Sequence, residues 1–157
     1  MSMSRRNFLE SGGAASALLT MAAACERKDQ NASNDLAELD AVETASRIRS
    51  GALGAAESIA AAIERAERID KKINAIAFRT FDSARDSAGK TSGPWAGVPS
   101  FIKDLDDVIG VPTAFGSRAF PGYKGKAQTP LIDTFLGLGV VSLGKSATPE
   151  FGLTATT

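Results

Sequence analysis

Apolar residues recur at helical spacing in two stretches near the start of the predicted folded region. The first stretch follows Asp35, which can cap a helix, and its apolar positions are Leu36, Leu39, Val42 and Ile48. The second predicts a longer helix over residues 55–72, whose buried stripe would be Ile59, Ile63, Ala66, Ile69 and Ile73. Gly51 and Gly54 lie between the stretches and predict a break there.

The rest of the chain alternates short apolar runs with further helical stretches. In chain order the predicted elements are a strand over residues 75–80, a short helix over 81–88, a strand over 98–103, a helix from Thr129 or Pro130 to Gly139, and a strand over 140–143. The last of these helices would bury Leu131, Ile132, Phe135 and Leu138. Strand, helix and strand in this order form a βαβ unit, so we predict an α/β fold in which helices cover a sheet.

The first 34 residues differ from the rest in their pattern. Arg5 and Arg6 precede Phe8 and Leu9, and an apolar stretch of small residues follows over 14–24. A charged region, a short apolar region and a small-residue exit are typical of an export signal, and paired arginines are typical of the twin-arginine type. We therefore predict an export signal over residues 1–25, a polar linker over 26–34 and a folded domain over 35–157.

Cys25 closes this signal and has two interpretations. The alanines at 22–24 form an A-x-A cleavage site, and they also resemble a lipobox in which Cys25 is lipidated and becomes the new N-terminus. Ala22 stands where a lipobox usually has leucine, so both alternatives stay open. In either case we expect an exported protein, periplasmic or anchored as a lipoprotein, that contacts the membrane only through its signal or lipid.

The composition excludes several kinds of site within this chain. The 157 residues include no histidine and one cysteine, which excludes a Ser-His-Asp triad, a Cys-His pair, a His-ligated zinc site and an internal disulfide. The formal net charge is +0, from 18 Lys+Arg and 18 Asp+Glu, and this balance does not favour nucleic-acid binding. We predict no metal site and no organic cofactor.

Lys103 is the candidate catalytic residue. It follows Phe101 and Ile102 in a strand that we predict to be buried on both faces. A charged lysine there is costly unless it is paired, reaches the end of the sheet or loses its proton, and a neutral lysine can act as a general base. Asp104 is not an automatic partner, because successive side chains of a strand point to opposite faces. A lysine that simply reaches water at the strand end is the competing interpretation.

Four segments, in order, resemble the motifs of one enzyme family. They are the long helix with the Ile73-Asn-Ala-Ile-Ala-Phe78 segment after it, Gly97-Val-Pro-Ser-Phe-Ile-Lys-Asp104, the segment 110–120 with its Gly-Val-Pro-Thr and Gly-Ser, and the segment 138–152 with its Gly-Lys and Glu-Phe-Gly. Together they resemble the amidase signature family from about residue 40 to Thr157. Ser100 and Ser146-Ala147 depart from the commoner residues, which leaves the shape of the substrate pocket open.

The resemblance implies a fold and a reaction. The fold would be the N-terminal part of an α/β/α domain with a mixed central sheet, incomplete in this chain. The reaction would be hydrolysis of a carboxamide C–N bond, with one serine as nucleophile, a second serine in a cis peptide as proton relay, and a lysine as base, which Lys103 matches. In the family both serines lie in a glycine- and serine-rich segment that would fall after Thr157. The chain alone is therefore expected to be inactive and marginally folded.

Other hydroxyls and amines are expected to play smaller parts. Ser100, Ser117, Ser142 and Ser146 do not stand in the sequence context of the nucleophile. We predict that Ser117 is a loop residue near the site and that Lys145, placed just after the last strand, is structural.

Two alternatives for the function stay open. A subunit that makes glutaminyl-tRNA carries the same signature, although an export signal argues against a role in cytoplasmic tRNA charging. An exported binding lipoprotein with a vestigial amidase fold would have no chemistry at all. For the enzyme, the expected partner is a small-molecule amide; its identity, the residues that bind it and the oligomeric state are not predicted.

Overall fold

A three-stranded sheet covered by helices organises the described part of the chain. The computed structural model describes residues 36–157, so the predicted export signal, Cys25 and the linker lie outside the described residues. All of the elements named below belong to one unit, Leu39–Thr157. Within this described range, no helix is both long and apolar enough to cross a membrane.

The elements follow the predicted order with shifted ends. The helices are α1 (Ala41–Ser50), α2 (Ala55–Ile73), α3 (Phe81–Asp86) and α4 (Pro130–Gly137); the strands are β1 (Ile76–Arg79), β2 (Pro99–Lys103) and β3 (Val141–Ser146); a 3₁₀ turn covers Glu150–Gly152. Asp35 lies outside the described residues, so its predicted cap stays a prediction. Asp40 caps α1, because its carboxylate accepts a hydrogen bond from the Glu43 N–H at 2.7 Å.

The sheet is mixed, with β3 in the centre. The strand order is β1-β3-β2. β3 runs antiparallel to β1 and parallel to β2. β2, α4 and β3 therefore form the predicted βαβ unit, and the α/β prediction with a mixed sheet is confirmed.

Helices pack on both faces of this sheet. One core cluster joins α2 and α3 to β3: Ile59, Ala62, Ile63, Phe81, Ala84, Val141 and Leu143. A second cluster joins Ile102 of β2 to Val108 and to Ile132 of α4. Phe101 packs against the first cluster and Ile102 against the second, as expected for successive residues of a strand. The carboxyl end of β2 is therefore held from both faces.

Several residues that we predicted to be buried are exposed. They are Ile69, Ile73 and Leu131. The residues of α1 that are buried are Thr44 and Ala45. The prediction is wrong at these positions because helical spacing finds the apolar side of a helix but not how far a neighbouring element extends over it. Ile69 and Ile73 border an open apolar groove of about 300 Å³ beside Phe101.

Candidate active site

The candidate site lies at the carboxyl ends of the two parallel strands. β2 ends at Lys103 and β3 ends at Ser146, and the Cα atoms of these two residues are partners in the sheet register. The loops that follow the two strands meet at this edge, since the Phe151 N–H donates to the Phe115 carbonyl at 2.8 Å. The carboxyl edge of parallel strands is where α/β folds usually place ligands and catalytic groups.

Lys103 reaches water at this edge. Its side chain is exposed, and of the five residues of β2 only Ile102 is buried. The prediction that this strand is buried on both faces is wrong, because within the described sheet β2 is an edge strand with β3 as its one neighbour. The backbone is well fixed: the Asp104 N–H donates to the Ser146 carbonyl at 3.0 Å, and the Asp106 N–H donates to the Lys103 carbonyl at 3.1 Å. The catalytic role of Lys103 stays a prediction.

Among the described residues, Lys145 is the lysine whose side chain is buried. Its relative exposure is 0%, and it lies inside β3 rather than after the strand as predicted. Its ammonium donates to the carbonyl of Asp106 and, at 2.9 Å, to the hydroxyl of Thr113. A carboxylate oxygen of Asp104 lies 3.7 Å from the same nitrogen. The ammonium is therefore surrounded by three acceptors that come from two separate segments.

The acceptors around Lys145 are buried as well. Asp104 is 2% exposed and Thr113 is 1% exposed. The Asp104 carboxylate also accepts from the Ala114 N–H at 3.2 Å. Burial lowers the pKa of Lys145, and the negative charge of Asp104 opposes that shift. Sequence analysis missed this cluster because its members lie far apart in the chain, and the one local signal was a lysine directly after a strand glycine.

Gly144 allows Lys145 to occupy this position. In a regular strand, Leu143 and Lys145 would point to the same face. The register with β2 instead shifts between Ser100 and Ile102, so that β3 carries one extra residue there. Gly144 has φ 137°, and a Cβ at this position would overlap the carbonyl oxygen of Phe78. This bulge allows Leu143 to join the core with α2 while Lys145 reaches Thr113.

The serines of this region bond to groups other than the lysines. Ser117 is buried, and its hydroxyl donates to a carboxylate oxygen of Glu150 at 2.6 Å. The hydroxyls of Ser100 and Ser142 donate to the backbone carbonyls of Phe101 and Gly144 at 3.4 and 3.5 Å. Ser117 thus connects the loop after β2 to the 3₁₀ turn after β3, as expected for a loop residue near the site.

Four aromatic rings form an aromatic cluster on these loops. Phe115, Phe120 and Tyr123 contact one another, and Phe151 contacts Phe120, with ring centroids 5.3 to 6.2 Å apart. Phe115 and Phe151 have φ values of 55° and 51°, in the left-handed region that side chains seldom adopt. The negative charge of the Asp107 carboxylate raises the pKa of Tyr123, and the same carboxylate accepts a hydrogen bond from the Tyr123 hydroxyl at 3.2 Å. The cluster places aromatic side chains on the loops that follow β2 and β3.

The described residues contain no cluster of side chains suited to bind a metal ion. Among residues 36–157, no group of three His, Cys, Asp or Glu side chains is arranged to hold a metal ion.

Comparison with known proteins identifies the family. A family model described as Amidase matches residues 57–157. The chain is 45% identical over 123 residues to the Mycobacterium bovis protein AmiC, named as an amidase. It belongs to the amidase signature family. The elements described above are thus part of the amidase fold, and the matched residues 57–157 include both Lys103 and Lys145.

Two solved structures share this fold. The structure of 6-aminohexanoate cyclic dimer hydrolase aligns with a TM-score of 0.72 and 31% identity, covering 76% of this chain and 25% of that one. A bacterial aryl acylamidase of the amidase signature family aligns with a TM-score of 0.70 and 26% identity, covering 76% of this chain and 27% of that one. The match with AmiC covers 76% of this chain and 26% of AmiC. The chain therefore spans about a quarter of the length of the amidases it matches.

Proposed function

We propose that this chain supplies the general base, Lys103, of an amidase that hydrolyses a carboxamide C–N bond. The observation that carries the proposal is the position of Lys103: an exposed amine at the carboxyl end of a parallel strand, in the segment 97–104 that resembles the family's lysine motif. The backbone on either side of this amine is fixed by hydrogen bonds to β3 and to the following turn. An accessible amine on a backbone that is held in place suits repeated proton transfer.

In the proposed reaction Lys103, as a free amine, accepts a proton from a relay serine. The relay serine takes the proton of the nucleophilic serine as that oxygen attacks the amide carbonyl carbon. The C–N bond then breaks, the amine leaves with the proton, and an acyl-enzyme remains. Water attacks the acyl carbon by the same proton route and releases the carboxylic acid. Neither serine has a counterpart in this chain under the family resemblance, so we propose that the 157-residue polypeptide alone is inactive.

The proposed substrate is a small carboxamide. Support comes from the relatives, whose names describe an amidase, a hydrolase of a cyclic 6-aminohexanoate dimer and an aryl acylamidase. The aromatic cluster at the same edge of the sheet favours a substrate with an apolar portion. We also propose an exported location from Arg5, Arg6 and Cys25, with lipidation of Cys25 as the means of anchoring.

The test uses the complete open reading frame, expressed and purified, with a panel of aliphatic and aryl amides. We expect turnover, and we expect Lys103→Met to lower kcat/KM by about 10²–10⁴-fold, the usual contribution of a general base. Lys90→Met is the matched control, because Lys90 is also exposed but lies in the loop before β2. Full turnover in Lys103→Met would refute the assignment of the base. Absence of turnover on every amide would favour the alternative, a binding lipoprotein without chemistry.

A further inference from the structure

We propose that Lys145 is a positioning residue, whose ammonium fixes the turn after Lys103 and thereby the direction of the Lys103 side chain. The inference rests on the proposed role of Lys103 as base. Lys145 lies across from Ile102 in the sheet, one residue from the Lys103–Ser146 pair. Its side chain passes to the turn that follows Lys103, where its hydrogen bonds are made.

The peptide units around Asp106 are held at both ends. The Asp106 N–H donates to the carbonyl of Lys103 at 3.1 Å, which closes a turn directly after the strand. The Asp106 carbonyl accepts from the ammonium of Lys145. Because the carbonyl of Lys103 is part of this turn, a change in the position of Asp106 would rotate the backbone from which the Lys103 side chain projects.

The same ammonium connects this turn to a second segment. The hydroxyl of Thr113 accepts from Lys145 at 2.9 Å, and the adjacent Ala114 N–H donates to the carboxylate of Asp104 at 3.2 Å. Asp104 directly follows Lys103 in the chain. Lys145 and Asp104 thus form a closed clamp between β3, the turn at 104–106 and the residues 113–114, and all of its side chains are buried.

Stability alone is a poor explanation for this clamp. Burying an ion pair removes two charges from water, and apolar residues of similar volume are often equally or more stabilising. The Lys145 ammonium contacts the turn directly after Lys103, through Asp104 and Asp106. It also contacts Thr113, which lies beside the Ala114 N–H that Asp104 binds. The contacts therefore act where the direction of Lys103 is set, which is what a positioning role requires.

Thr113→Val and Thr148→Val form a matched pair for the test. Thr113→Val removes one acceptor of the Lys145 ammonium with little change in volume. Thr148 is also buried, at 5% exposure, and in the described part of the chain its hydroxyl has no hydrogen-bond partner. Both variants, with Lys145→Met as the larger change, would be made in the complete open reading frame. The readouts are kcat, KM and backbone hydrogen exchange of the peptide that spans residues 104–114.

We expect Thr113→Val to lower kcat about tenfold, and Lys145→Met about a hundredfold, with KM within about twofold, because a shift of about 1 Å in a catalytic group can cost this much. Both variants should exchange faster over 104–114, and Thr148→Val should match the wild type in every readout. The inference is overturned if Thr113→Val leaves either kcat or the exchange unchanged, or if Thr148→Val has the same effects. Full activity in Lys103→Met would remove the base assignment, whereas normal kinetics in Thr113→Val beside an inactive Lys103→Met would remove the positioning role alone.

Discussion

Two lysines on neighbouring parallel strands have opposite environments. Lys103 ends the edge strand β2 and is exposed, whereas Lys145 lies inside the central strand β3 with a relative exposure of 0%. Asp104 directly follows Lys103 in the chain, but its carboxylate pairs with the ammonium of Lys145 and not with that of Lys103. The strand position, and not the residue type, decides which amine is accessible and which one is a crosslink.

The difference arises because successive side chains of a strand point to opposite faces of the sheet. Asp104 continues from Lys103 toward the opposite side, where it meets the side chain of Lys145 across the sheet. The bulge at Gly144 directs Lys145 away from the core side chain of Leu143. Asp104 is therefore the partner of Lys145 and not of Lys103, although it directly follows Lys103 in the chain.

The largest expected effect separates the two lysines by stability. Lys145→Met should lower the free energy of unfolding by about 3–5 kcal/mol, because it leaves the buried carboxylate of Asp104 without its counter-charge. Lys103→Met, at an exposed position, should change it by no more than about 0.5 kcal/mol. Urea unfolding of the protein from the complete open reading frame, which the activity tests also use, would measure both.

A double variant sharpens this comparison. Adding Asp104→Asn to Lys145→Met should recover part of the loss, because no uncompensated charge then remains and the asparagine can still accept from the Ala114 N–H. Equal stability of Lys145→Met and Lys103→Met would mean that the buried pair contributes nothing and that the contrast between the two lysines is only one of exposure.

The elements that sequence analysis predicts well are those with a clear period. The α2 helix, β2 with Pro99 at its start and the helix that begins at Pro130 occur close to the predicted places. Each is specified locally, by apolar spacing or by a residue that limits the backbone, such as proline at the first position of a helix. The order of β2, α4 and β3 then sufficed to predict a parallel pair within an α/β sheet.

The clamp around Lys145 could not be predicted in this way. Lys145 and Thr113 are 32 residues apart, and Lys145 and Asp106 are 39 residues apart, so their contact depends on the path of the loops. Burial of β2 was predicted wrongly for a similar reason, since an apolar run does not reveal whether its strand is central or at the edge. The exposed end of β2 corresponds to the competing interpretation of Lys103 as a lysine that reaches water.

A substitution at Gly144 would test how Lys145 reaches its partners. Gly144→Ala should lower the free energy of unfolding by about 1–3 kcal/mol, because φ 137° is strained for alanine and its Cβ would overlap the Phe78 carbonyl. The β1–β3 pairing would have to shift, which would move Lys145 away from Thr113. Gly89→Ala is the control, since its φ of 71° is also positive but a Cβ there meets nothing within 4 Å. Equal losses in the two variants would mean that backbone strain alone, and not the close approach of β1, explains the effect.

The smallest expected effect concerns pH and distinguishes the two influences on Lys145. Burial lowers the pKa of Lys145 below its usual value of 10.5. In the pH window just below 10.5 the unfolded chain therefore binds more protons than the folded chain, so the free energy of unfolding should rise as the pH rises through this window. Lys145→Met lacks this titration, so the stability difference between the wild type and the variant should increase across the same window.

Urea unfolding of both proteins at a series of alkaline pH values would measure this difference, and the other lysines cancel in it. The Asp104/Lys145 double variant can serve as the reference if the single variant is too unstable. A stability difference that decreases as the pH rises would mean that the charge of Asp104 outweighs burial and raises the pKa of Lys145. Lys145 would then stay protonated through this window, and the clamp after Lys103 would weaken only at higher pH, where the ammonium loses its proton.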